Sequence, residues 1–200
     1  MGAKELACQW GAKYFAAIEE LNGHAFRTLA DIERDTLIET IFPLTGRREV
    51  GSYIMRLHEY LIRPTLYKEV PDVLQRLSVP VCIVSNADER ELHEACANLG
   101  LEFVYTVSSE RARSYKPSPR IFEQALEITG WSAERVLHVG DSVHSDVEGA
   151  QGMGIKAAWV HRADRISDIG TAEADYTWQD LRPLAEISDL GSIQVPDRLQ

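Results

Sequence analysis

The chain has 200 residues, of which 31 are acidic and 21 basic, for a net charge of −10. That length fits one domain with a modest appendage, and it suffices for a core without disulfide or metal staples. An apolar fraction of 44% excludes global disorder, and the acidic balance argues against a nucleic-acid partner, which needs clustered Lys and Arg. No apolar run is long enough to span a bilayer, and the first residues lack the unbroken apolar stretch of a signal peptide. Cys8, Cys82 and Cys96 are too few and too scattered for a disulfide framework or a zinc cage, so a reducing, cytoplasmic setting is expected.

The first 60 or so residues show helical periodicity only. Phe15, Ile18 and Leu21 recur at helical spacing, followed by Leu37, Ile38 and Ile41, then Ile54, Leu57 and Leu61. From about Val70 the pattern changes to short apolar runs alternating with amphipathic helices. The runs are Val79–Ser85, Phe103–Val107, Arg135–Gly140 and Ile155–Val160; the helices are Pro71–Leu77, Glu89–Leu99, Pro119–Thr129 and Asp146–Gly152. Apolar strands separated by helices imply a parallel sheet buried on both faces, an α/β layered domain. Asp175-Tyr176-Thr177 suggests a last strand, with a helix over Trp178–Ile187. The expected organisation is a helical region over 1–63, an α/β core over 64–190 and a loose tail over 191–200.

Ligands of open parallel sheets bind at the carboxyl ends of the strands. Ser85, Asn86 and Asp88 follow the first run, Ser108, Ser109 and then Lys116 the second, and Gly140, Asp141, Ser142 and Asp146 the third. Each has an ordinary structural reading. Ser85 suits a helix cap, Asp146 a first-turn acid, Asp141 a turn residue, and Lys116 a solvated surface group. Each also has a chemical reading: a hydroxyl beside free backbone N–H groups for an anionic oxygen, a lysine beside a stiff proline pair as a phosphate counter-charge, and two carboxylates suited to Mg²⁺. Cys82 and Cys96 read as small core residues, and His138 and His144 as structural or solvent-facing. The glycines between Gly149 and Gly154 precede a strand rather than follow one, so they do not form a dinucleotide loop.

Together these motifs resemble the haloacid dehalogenase-like (HAD) hydrolase superfamily, over about Pro64 to Val160. VCIVSNAD is similar to its second motif, YKPSPRIF to the third and HVGDSVHSD to the fourth. The resemblance implies a Rossmann-like parallel sheet with a helical cap. It casts Ser85 and Lys116 as catalytic groups, Ser85, Asn86 and Lys116 as substrate-binding, and Asp141 and Asp146 as the Mg²⁺ site. The implied activity is Mg²⁺-dependent hydrolysis of a small phosphorylated metabolite through an aspartyl-phosphate, with no nucleic-acid or membrane partner. The alternatives are a haloacid dehalogenase and a non-catalytic phosphate- or Mg²⁺-binding remnant. Trp10, Tyr14, Arg47 and Arg48 are cap residues that either face the cleft or lie in core or solvent.

The family's first motif, a strand ending in Asp-x-Asp that carries the nucleophile, has no match here. Asp31 and Asp35 are four apart within a helical pattern. By family layout the missing strand is the centre of the sheet, so its absence leaves a gap of about 9.6 Å, twice the usual strand spacing, between the second- and fourth-motif strands. The expectation is therefore that an upstream segment is missing from this sequence.

Overall fold

A computed structural model describes residues 2–47, 49–162 and 170–187. The expected tail over 191–200 and Arg48 lie outside the described residues. Three helices build the cap: α1 (Ala3–Glu20), α2 (Leu29–Thr45) and α3 (Gly51–Leu61). Thr28 starts α2 by accepting from the Asp31 backbone N–H, and Gly46 ends it at φ 67°, a conformation that favours glycine. Ile18, Leu29 and Ile32 bury one seam of the cap, and Leu37, Ile41 and Val50 a second.

The core alternates strands and helices: α4 (Val70–Arg76), β1 (Cys82–Ser85), α5 (Glu89–Asn98), β2 (Tyr105–Ser108), α6 (Ser109–Ala112), α7 (Pro119–Thr129), β3 (Leu137–Gly140), a wide π-type turn over Val143–Glu148 running into α8 (Gly149–Gly152), β4 (Lys156–Val160), β5 (Tyr176–Trp178) and α9 (Arg182–Ile187). The first strand begins at Cys82, three residues later than the apolar run suggests. The helix after β3 begins at Val143 rather than Asp146, because the Ser142 hydroxyl caps it through the Ser145 N–H. Trp178 belongs to β5 and is buried against β4, so the last helix starts only at Arg182.

All strand pairs are parallel, but they form two sheets, β1-β2 and β3-β4-β5. β1 and β3, which carry the second- and fourth-motif residues, are not hydrogen-bonded to each other. What joins the two halves is apolar burial. Val107 of β2, Ile121 and Phe122 of α7, Val143 and Val147 of the π-type turn, Ala150 of α8 and Ala157 of β4 form one cluster.

The seam is tight at Gly149, where a Cβ would lie 2.6 Å from the Phe122 ring and 3.1 Å from Pro117. Gly149→Ala is expected to lower stability by about 1–3 kcal/mol through overpacking. Gly152→Ala, on the same helix with nothing within 4 Å of its Cβ, should leave the melting temperature unchanged or slightly raised. Thermal unfolding of the two variants checks the contrast.

Candidate active site

The chemistry-bearing side chains converge between the two sheets. Lys116, on the loop before α7, donates from Nζ to the Val84 carbonyl of β1 at 3.0 Å and to Asp146 Oδ1 at 2.7 Å. Its ammonium thus links the β1 sheet to the segment that follows β3. Both side chains are nearly enclosed, at 12% and 6% exposure, so this is a buried ion pair. Asn86 fixes the lysine from below: its amide oxygen accepts from the Lys116 N–H at 2.8 Å, and its amide nitrogen donates to the Lys116 carbonyl at 3.2 Å. Asn86, expected to bind substrate, also positions Lys116 through these two bonds, which leave one amide N–H and one oxygen lone pair of Asn86 uncommitted.

Asp146 accepts from Lys116 and from His138 Nε2 (3.0 Å) at Oδ1, and from the Ser142 N–H (3.0 Å) at Oδ2. Burial pushes its carboxyl up, yet the Lys116 charge and then His138 hold it well below the usual carboxylate range. Asp146, expected at the Mg²⁺ site, is in this structure also the counter-ion of Lys116. Gly140 makes the approach possible, since a Cβ there would fall inside the Asp146 carboxyl group. Asp141 is exposed directly beyond Gly140 at the carboxyl end of β3. Ser85 ends β1, and its Oγ has no hydrogen-bond partner among the described residues.

His138 was read as structural or solvent-facing; it sits edge-on to Phe122 and bonds Asp146. Its position in mid-strand, eight residues before Asp146, gave no signal, because the contact depends on the turn at Gly140. His144, read the same way, has a structural role: it bridges Glu148 of the core (2.8 Å) and Glu19 of the cap (3.5 Å). Cys82 is a core thiol, pushed up by burial to about 11. In the cap, Trp10 donates to Thr36 and ties α1 to α2, while Arg47 is exposed. A cavity of about 890 Å³ opens between α2 and α3, lined by Ile38, Ile41, Val50 and Ile54 with Arg34 and Arg47. None of the strand-end groups lines it, so it is not the candidate site.

Among the described residues no three His, Cys, Asp or Glu side chains are grouped to hold a metal on their own. Mg²⁺ does not need such a cage, since it keeps several waters and takes one or two carboxylates together with substrate phosphate. Asp141, exposed at the strand end, and the remaining acceptor capacity of Asp146 Oδ2 are hard oxygen donors of that kind.

The arrangement agrees with comparisons to known proteins. The family model described as haloacid dehalogenase-like hydrolase matches residues 6–154. The chain belongs to this family. HAD membership accounts for both the cap and the order of the three matched motifs. Haloacetate dehalogenase H-2 of Moraxella sp. (strain B) is 34% identical over 128 residues, 62% of this chain and 57% of that enzyme. The matched part is thus little more than half of that relative's length. Phosphoserine phosphatase of Thermus thermophilus is 28% identical over 187 residues, 91% of this chain and 74% of that enzyme. The HAD fold itself is matched by the structure of L-2-haloacid dehalogenase from Xanthobacter autotrophicus, with a TM-score of 0.78 at 20% identity over 93% of this chain and 86% of that one. The HAD relatives therefore include both dehalogenases and a phosphatase. No helix among the described residues is long and apolar enough to cross a membrane.

Proposed function

We propose that these residues are the phosphate- and cation-handling part of a Mg²⁺-dependent phosphomonoester hydrolase acting on a small phosphorylated metabolite. The observation that carries this reading is the segment after β3. It presents one exposed carboxylate, Asp141, beside a second, Asp146, that holds the Lys116 ammonium between two unjoined parallel sheets. Mg²⁺ held at Asp141 and Asp146 would supply positive charge to phosphoryl oxygens. Lys116 neutralises the charge that gathers where nucleophile and phosphate meet, and Ser85 Oγ donates to a phosphoryl oxygen.

The nucleophile of this chemistry is an aspartate carboxylate, a role assigned to none of the strand-end residues named here. That carboxylate forms a bond to phosphorus as the ester P–O bond breaks, and the leaving oxygen takes a proton. Water then hydrolyses the acyl phosphate and regenerates the carboxylate.

Dehalogenation through a carboxylate needs no cation, so metal dependence separates the two chemistries. The test assays p-nitrophenyl phosphate and 2-chloropropionate, with and without EDTA, using the 200-residue chain and its in-frame upstream extension. Phosphate release by the extended form that EDTA abolishes and Mg²⁺ restores is expected. Chloride release that survives EDTA, without phosphate release, would establish the dehalogenase reading instead. Phosphate binding without turnover by both forms would establish a non-catalytic remnant.

A further inference from the structure

The junction between cap and core holds a group that the proposed chemistry does not use. Glu33, on α2, is 6% exposed, and its carboxyl has no hydrogen-bond or ion-pair partner among the described residues. The charged groups that face it come from the core: Glu91 of α5 and Asp88, which precedes α5. Tyr14 of α1 and Tyr115 of the loop before Lys116 also feel its charge. Among the described residues no cation contributes to its field.

The same carboxylates fasten the cap. Asp88 accepts from the backbone N–H groups of Leu29 (2.8 Å) and Ala30 (3.0 Å), stapling the first turn of α2 to the core. Glu91 holds His58 of α3 at 2.8 Å, and Glu94 lies 3.9 Å from the other ring nitrogen. Glu110 binds the Glu89 N–H beside them and adds to the negative field at Asp88. Glu33 of the cap thus lies in the field of Glu91 and Asp88, the two carboxylates that hold α3 and α2 to the core.

We propose that Glu33 makes docking of the cap on the core proton-dependent: with Glu33 neutral the junction closes, and with Glu33 ionised its repulsion with Glu91 and Asp88 loosens it. Burial first, then Glu91 and Asp88, raises the Glu33 carboxyl to about 7 in the docked state. A group raised on docking favours the docked state most fully below its ordinary value, and that contribution is lost as pH rises through about 7. The His58 ring lies between Glu91 and Glu94, so its contribution is separated by substitution. Burial also raises the Asp88 carboxyl, against the pull of its two backbone donors.

The test is hydrogen exchange of the Leu29 and Ala30 amides in the 200-residue chain, corrected for intrinsic exchange rates, between pH 6 and pH 8. Protection in the wild-type chain is expected to fall about tenfold over that range, the factor that one pKa unit carries. Glu33→Gln, neutral at every pH, should keep protection high and flat, and Glu91→Gln should reduce the dependence. His58→Asn separates the contribution of the imidazole. A flat wild-type profile overturns the proposal. So does a tenfold fall that persists in Glu33→Gln or Glu91→Gln, or one that only His58→Asn removes.

Discussion

Lys116→Met is expected to cost about 3–5 kcal/mol of folding stability, the usual result of removing one partner of a buried ion pair. Among the described residues the ammonium bonds two oxygens, the Val84 carbonyl and Asp146 Oδ1, and both lie in the seam between the sheets. Its loss leaves a buried carboxylate with His138 and the Ser142 N–H and no countercharge from the lysine. For a chain of this size the fall in Tm should be about 6–20 °C, at 2–4 °C per kcal/mol. The double variant Lys116→Met with Asp146→Asn should be more stable than Lys116→Met alone, because the stranded charge has gone. Thermal and urea unfolding measure both. A single variant that costs less than about 1 kcal/mol would show that the pair is not buried in solution.

The same pair fixes an acid limb. The Asp146 carboxyl is lowered on folding, so its contribution is present in full above the ordinary carboxylate range. It is lost as pH falls through and below that range. The stability difference between the wild-type chain and Asp146→Asn should therefore narrow below about pH 4, the ordinary carboxylate value.

The strand–helix alternation and the order of strand-end residues were legible in the sequence because each rests on local pattern. Cys82–Ser85 and Leu137–Gly140 read as apolar runs followed by polar residues, and both became strands. The split between β1 and β3 was legible for a different reason. The resemblance implies a further strand between the second- and fourth-motif strands, and among the described residues β1 and β3 lie in separate sheets. Contacts set by turn geometry were not legible. The pairing of Asn86 with the Lys116 backbone, thirty residues away, left no trace in the local pattern. His138 gave no signal because its partner reaches it only through the close approach that Gly140 permits. Glu33 drew no reading in the sequence, because its burial and the field of Glu91 and Asp88 depend on how the cap meets the core.

Asp141 decides between the chemistries open to this family. It is the exposed carboxylate at the end of β3, placed by the turn at Gly140, and it lies on the same segment as the Asp146 that holds Lys116. Asp141→Asn keeps the size of the side chain and removes the charge that a hard cation needs. Losing that charge stabilisation is expected to lower phosphomonoester turnover by at least about 10²–10³-fold, as removal of one preorganised electrostatic contact does elsewhere. Because the residue is exposed, the melting temperature should move little. The direct measurement is the Mg²⁺ dependence of p-nitrophenyl phosphate hydrolysis by the upstream-extended protein and its Asp141→Asn variant. Metal-dependent turnover in the first and a loss of at least a hundredfold in the folded second is the expected result. Equal turnover in both would contradict the assignment of this strand end as the cation and phosphate site.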